Sequence, residues 1–436
     1  MCRSFAPIVL TVLAFASGTS LAQSSPSAAL PGATSGSMVP VASSLTLSAA
    51  LSQALDGNPD LAAAQNEARA AEGARIQAGA LPNPTLAAQI EDQRRETRTS
   101  TVTLSQPIEL GGKRAARIAA ADRAIEIAKS QLDAKRMDVR ANVTAMFFAA
   151  LLAQERVTLA QASLDLARRG SDAANKRVTA GKVSPVEETK AKVAEASVRL
   201  ELVQAQGELR TSLEQLRGAI GPGPAIRAVD GNALQMPRSI SVDQVAARVE
   251  ATPAVREARL EIRRFEALAE LERAKRIPDV TLTLGATRPT ELSRNQAIVG
   301  ISIPLPIFDT NRGNIQEALR RQDKAEDTAR ATELRVRTEA QSARQRLETS
   351  LAEVASLRDE VLPGAQSAFD AATKGFELGK FSYLEALDAQ RTLLQSRSQY
   401  LRALADTHRS AAELYRLLGA EDTTASPSPS QIQERP

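Results

Sequence analysis

From Lys113 to Ala180 the chain contains no proline and a single glycine, Gly170. A continuous helix over that stretch would be on the order of 100 Å long at ~1.5 Å per residue, several times the width of a small domain. A second helical pattern follows from Ser184 to Gly218, with Leu200, Val203, Leu213, Leu216 and Ile220 at coiled-coil-like spacings. The chain therefore has to build long antiparallel hairpins of helices rather than a rounded core.

The same construction occurs twice. AGKVSPVEETK at 180–190 and LGKFSYLEALD at 378–388 share Gly-Lys-x-Ser-x-x-Glu, 198 residues apart in numbering. Gly181 and Gly379 suit the left-handed residue that closes a helix. Ser184 and Ser382 stand where an N-cap belongs, with Glu187 and Glu385 three residues on, which predicts a capping box at each. Pro185 fits the first helical position. At the same offset Gly221 matches Gly419 and Arg114 matches Arg312. Upstream, GNPDL (57–61) echoes ATPAV (251–255), LPNPTLAAQ (81–89) echoes IPDVTLTLG (277–285), and LSQPIEL (104–110) echoes ISIPLPI (301–307). The expected organisation is repeat one at 45–221, a Gly/Pro-rich linker at 222–239, and repeat two at 240–419. Repeat two holds long helices over 312–378 and 382–418, with a seam of Leu347, Leu351, Val354 and Val361 and an interruption at Pro363-Gly364. A shorter helix opens each repeat, at about 46–80 and 241–276.

Between the short and long helices the period changes to two. Val280–Thr287 alternates apolar with small polar residues, as do Val299, Ile301 and Ile303, then Leu86, Ala88 and Ile90, and Val102 and Leu104. Each repeat thus supplies one β-hairpin, at about 84–107 and 279–304, for four strands in all. Four strands cannot close a barrel, and an open apolar sheet leaves two edges exposed. Membrane barrels start at about eight strands, so closure would require several copies of the chain. Two arrangements are open at this point: a lipid-facing apolar side with a Thr/Ser/Gly/Gln side towards water, or a small sheet packed on the helices.

The N-terminus MCRSFAPIVLTVLAFASGTSLAQ has Arg3, an apolar run and small residues ending at Ala22, the pattern of an export signal over 1–22. The one cysteine, Cys2, falls within that signal and away from the end of its apolar run, so neither a disulfide nor a lipid anchor is expected. Residues 23–44 read as a flexible leader and 420–436 as a flexible tail. The strongest later apolar run, Val143–Ala153, is too short for a spanning helix and reads as a buried face.

Composition bounds the chemistry. Aromatics make up 3% of the chain, with no Trp and one His, and 55 basic residues nearly cancel 51 acidic ones. The charges are interspersed along helices, with no basic stripe or stacking aromatics, so a nucleic-acid partner is not expected. With one His and no other Cys, no soft metal site and no cofactor are expected. No nucleophile–base arrangement or phosphate-cradling loop occurs, so the chain does not read as an enzyme.

The duplicated Gly-x-x-Ser turns, the stretch QPIELGGKR (106–114) and its partner PLPIFDTNRG (304–313) resemble the TolC-like outer-membrane efflux family over about 45–420. PIELGGKR is similar to the branch that serves heavy-metal pumps of the cobalt–zinc–cadmium type. That resemblance implies a mainly α fold with a β-barrel part. Three chains would give four strands each to a twelve-stranded barrel in the outer-membrane lipid of a Gram-negative bacterium. Twelve long helices would continue as a periplasmic tunnel. It implies as partners a periplasmic adaptor and an inner-membrane pump of the resistance–nodulation–division class. Both turns would then face the adaptor, making Gly181, Lys182, Ser184, Gly379, Lys380 and Ser382 docking candidates. Either lysine alternatively only complements its helix dipole. Asp388 and Glu385 match the acidic ring at the closed end of the tunnel, Glu385 having its capping role as the alternative. Repeat one has Lys190 and Glu187 at those places. His408 is expected on the surface or in a helix seam. Rival expectations are a duct of the same fold for drugs or secreted polypeptides, and a soluble periplasmic coiled-coil adaptor or envelope structural protein.

Overall fold

The computed structural model describes residues 44–92, 94–292, 294–378 and 380–419. The expected signal, all but the last residue of the leader, the tail and Gly379 lie outside them.

In chain order the elements are β1 (Leu45–Thr46), α1 (Leu47–Gly57), α2 (Pro59–Ala78), β2 (Thr85–Glu91), β3 (Thr99–Ile108), α3 (Lys113–Thr179) and α4 (Pro185–Ile220). Then follow β4 (Val229–Asp230), α5 (Val242–Val249), α6 (Pro253–Ala274), β5 (Val280–Pro289) and β6 (Gln296–Ser302). The chain ends in α7 (Arg312–Ser356), a π-helical turn (Leu357–Val361), α8 (Leu362–Glu377) and α9 (Tyr383–Leu418). The proline-free run is one helix of 67 residues. The helices that return from the two tips, α4 and α9, are each 36 residues long and start 198 positions apart.

Three details depart from the sequence reading, each for a local reason. The opening helix of each repeat is two helices, broken at GNPDL and ATPAV, because Pro59 and Pro253 sit at first helical positions. Asn58 caps the second piece by accepting from the N–H groups of Asp60 and Leu61. In repeat two the π-turn comes immediately before Pro363, which has no amide hydrogen, and Leu362 N–H donates five residues back to Leu357. Leu357, three residues past Val354, continues the buried spacing of α7, and the extra residue then turns Val361 out of the seam to 39% exposure. On α4 the buried positions are Leu202, Ala205, Leu213, Leu216 and Ile220, whereas Leu200 and Val203 lie 59% and 56% exposed on the opposite face.

The two repeats pack alike. In the first, Ala50 and Ala54 of α1 pack on Val143, Phe147 and Leu151 of α3 and Leu216 of α4. In the second, Val245 of α5 packs on Ala340, Ala343 and Leu347 of α7 and Leu414 of α9. The apolar stretch of α3 is long enough for a membrane span by composition, but half of it is buried in the fold. The linker contributes something the sequence reading did not contain: β4 pairs in parallel with β1, Leu45 opposite Val229, adding two short strands to the expected four. Val229 thereby joins the core of the first repeat.

The four hairpin strands form one antiparallel sheet in the order β2-β3-β5-β6, so the hairpins of the two repeats meet at β3–β5. Register aligns the apolar side across all four strands, with Leu86 opposite Leu104, Leu104 opposite Leu284 and Leu284 opposite Val299. All four of these side chains are exposed. The other side carries hydroxyl pairs, Thr101–Thr287 at 2.9 Å and Ser105–Thr283 at 3.0 Å. Gly285 lets β3 and β5 approach there, since a Cβ would stand 2.5 Å from the Val102 carbonyl oxygen. Within the chain, β2 and β6 are open edges.

Candidate functional site

The helix–helix turns lie at the far ends of α3/α4 and α8/α9 from the sheet. At the first, Gly181 has φ +69°, Lys182 N–H donates to Arg177 C=O at 2.9 Å, and Gly181 N–H donates to Val178 C=O at 2.9 Å. This is a Schellman closure, the glycine in the left-handed position that a side chain would strain. At the second, Lys380 N–H closes on Gly375 C=O at 2.8 Å in the equivalent six-residue loop. Gly379 is not among the described residues. The side chains of Lys182 and Lys380 are exposed at the two ends.

The caps differ. In repeat two, Ser382 Oγ accepts from Glu385 N–H at 3.3 Å, and Glu385 Oε2 accepts from Ser382 N–H at 2.7 Å, a complete capping box. In repeat one the expected box is not formed. Ser184 Oγ accepts instead from Val186 N–H at 3.3 Å, and Glu187 donates its N–H to the Ser184 carbonyl. Pro185 at N1 removes the first amide hydrogen, and the hydroxyl takes the next one along.

Contacts between the repeats hold the two tips side by side. Ala174 of α3 and Ala191 of α4 cluster with Phe376 of α8 and Leu387 of α9. The Arg177 guanidinium lies 4.5 Å from the centre of the Phe376 ring. Gly375 admits the Phe381 ring, which a Cβ at 375 would meet at 2.2 Å. Behind the tips a groove runs between α3, α4 and α9, with Asp388, Arg391 and Arg402 of α9 facing Glu201 of α4. Asp388 is exposed, and its backbone carbonyl accepts from Thr392 Oγ1 at 3.0 Å. The two acidic candidates are thus separated: the Glu385 carboxylate is occupied by the cap, and Asp388 is an exposed residue of the groove lining.

PIELGGKR forms the corner between sheet and tunnel helices. Leu110 N–H and Lys113 Nζ both donate to Asp279 Oδ1, at 3.1 and 2.7 Å. Arg114 Nε donates to Gly79 C=O at 2.7 Å. Gly111 and Gly112 have φ +72° and +73°, and a Cβ on Gly111 would stand 2.8 Å from Ile277. Arg117 holds both Glu109 oxygens. That hydrogen bond keeps the Glu109 carboxyl below its ordinary value, against the opposing effect of burial. Asn311 forms the matching corner of repeat two with φ +57°, its Nδ2 donating to Glu272 C=O at 2.8 Å.

His408 is a seam residue, 3% exposed, its ring stacked on Phe148 at 3.7 Å and its Nε2 3.0 Å from the Ala233 carbonyl. No group of three or more His, Cys, Asp or Glu side chains that could hold a metal ion occurs among the described residues.

A family model described as "Outer membrane efflux protein" matches the chain twice, at 50–222 and 247–420. The cobalt-zinc-cadmium resistance protein CzcC of Cupriavidus metallidurans is 44% identical over 425 residues, 96% of this chain and 100% of that protein. The nickel-cobalt-cadmium resistance protein NccC of Alcaligenes xylosoxydans xylosoxydans is 28% identical, over 62% of this chain and 63% of its own. Among solved structures, CusC superposes with a TM-score of 0.72 at 20% identity, covering 86% of this chain and 92% of that one. The outer membrane protein VceC of Vibrio cholerae superposes with a TM-score of 0.70 at 20% identity, over 86% and 96%.

The corner pair predicts a pH signature. A carboxyl whose pKa is lowered on folding contributes stability above its unfolded value and loses it as pH falls through the folded value. Wild type should therefore exceed Glu109→Gln in thermal stability at neutral pH. The gap should narrow as pH drops below the ordinary carboxyl value of 4.5. Thermal melts in detergent across that range check it, and a gap independent of pH would show that the pair contributes nothing through charge.

Proposed function

The chain belongs to the outer membrane efflux protein family, and on that premise we propose that it is the outer-membrane duct of a tripartite pump exporting divalent heavy-metal cations of the cobalt, zinc, cadmium and nickel class. It sits in the outer membrane of a Gram-negative bacterium, and its family is a transport component rather than a catalyst. The observation that carries the cation reading is the 44% identity to a cobalt-zinc-cadmium resistance protein along the whole of that protein's length.

Three copies close the sheet, each adding four strands, so that the Leu86–Leu104–Leu284–Val299 row meets lipid and the hydroxyl side lines water. The long helices then form a tunnel whose end carries six similar turns, two from each chain. An adaptor docks there, at Gly181, Lys182, Ser184, Gly379, Lys380 and Ser382, and couples the duct to a resistance–nodulation–division pump. The duct moves cations without chelating them, and selection belongs to the pump. Asp388, an exposed residue of the groove lining, is the gate residue, and three copies set the acidic ring that narrows the closed end of the tunnel. Glu385 serves the cap of α9.

Deleting the gene should sensitise cells to zinc, cobalt, cadmium or nickel and leave tolerance of dyes and detergents unchanged. Growth across graded concentrations reads this, and sensitivity to dyes and detergents alone would replace the cation reading with a drug duct. In planar bilayers Asp388→Ala should raise single-channel conductance, alone or combined with Glu385→Ala. Unchanged conductance would remove Asp388 from the gate.

A further inference from the structure

None of the four strands contains Phe, Tyr or Trp, and the whole chain has no Trp. Membrane barrels ordinarily mark both water interfaces with aromatic girdles, so this sheet lacks the usual anchor. Phe308, six residues past the end of β6, is 99% exposed. It follows, at a bend over Ile307 and Phe308, a row that begins in the sheet. Ala297, Val299 and Ile301 point to the apolar side of β6, and the alternation continues outside the ladder through Ile303, Leu305 and Ile307, all exposed.

The hydrogen-bonded part of β6 is 7 residues, too short for a barrel's apolar band. At ~3.3 Å per residue and a tilt of ~35–45°, a band ~25 Å tall takes about ten residues of strand. Ten steps from Ala297 end at Ile307, which puts Phe308 at the lower interface, with the charged Asp309 next. Extended backbone without a partner strand is costly in lipid because its amides go unpaired. Here Pro304 and Pro306 have no amide hydrogen, and Ile307 N–H donates to Leu305 C=O at 2.9 Å. Residues 304–307 are thus stripped of half their donors where the stretch enters lipid.

We propose that Leu305, Ile307 and Phe308 insert into the periplasmic leaflet of the outer membrane, with Phe308 at the level of the lipid headgroups as the anchor that replaces the missing girdle. This rests on the barrel reading given above. The occupant is lipid because the row is continuous with the sheet face assigned to lipid. Repeat one has no equivalent: its row is interrupted by Gln106, whose side chain is bonded to the Pro82 and Pro107 carbonyls, and it ends at Leu110 with glycine following. Each chain therefore contributes one such anchor.

A chain without Trp permits a direct test. Full-length Phe308→Trp and, separately, Ile301→Trp are reconstituted into phosphatidylcholine vesicles brominated on the acyl chains either near the headgroup or near the chain ends. The expected result is quenching of Trp at 308 mainly by the shallow bromines and of Trp at 301 mainly by the deep ones. Quenching at 301 with water-like, unquenched emission at 308 would overturn the anchor and leave the barrel standing. Blue-shifted but unquenched emission at 308 would overturn it in favour of a contact between copies. Absence of quenching at both positions would overturn the anchor together with the membrane placement of the sheet on which it rests.

Discussion

A sheet with two unpaired edges and a continuous apolar face is the constraint on which everything else in this molecule depends. Its apolar rows cross all four strands in register, and nothing among the described residues covers them. Unpaired strand edges invite pairing with another strand, and in lipid they must find one. Copies of the same chain supply it most simply, β6 of one meeting β2 of the next. In the proposed closure by three copies, the internal duplication serves both ends. It brings two hairpins per chain to the sheet and two turns per chain to the opposite end, so three chains present a nearly sixfold ring.

Between those ends lies a corner where extended chain becomes helix, and there the charged pairs concentrate. Lys113 and Leu110 share Asp279, Arg117 grips Glu109, and Arg114 holds the end of α2. These bonds tie β3, α2, α3 and the segment before β5 into one joint. PIELGGKR, the stretch that most suggested a metal-efflux branch, is a structural device here: its charged residues fasten the joint. A motif can mark a family branch through architecture rather than through contact with cargo.

Much of this was legible in the sequence because the relevant periodicities are local. The run without proline gives a helix of 67 residues, and strict alternation around Val280–Thr287 gives β5. The left-handed Gly181 and the Ser382–Glu385 box follow from spacing alone. What was not legible depends on neighbours or on a count shifted by one residue. The π-turn moves Val361 out of the seam, a shift no heptad count predicts. Pro185 diverts the Ser184 hydroxyl to another amide, so two nearly identical tip sequences are capped differently. The β1–β4 pair joins residues far apart in sequence and only two residues long, below what alternation can reveal. His408 is buried by Phe148 and Ala233, partners from another helix and from the linker. Spacing already gave Glu385 a capping role that Asp388 lacks, and the cap geometry bears that out.

The central claim, closure of the sheet by copies of the chain, is tested most directly by disulfide trapping across the open edges. The one native cysteine is Cys2, so engineered pairs are read without background from the rest of the chain. Ala87→Cys in β2 is combined in turn with Gln296→Cys, Ile298→Cys and Gly300→Cys in β6, which lie on the same side of the sheet as Ala87, and each protein is oxidised in the membrane. The account predicts that one register yields a covalent ladder ending at three chains. Monomers alone in every register would contradict it, leaving the apolar face of the sheet to be covered in some other way.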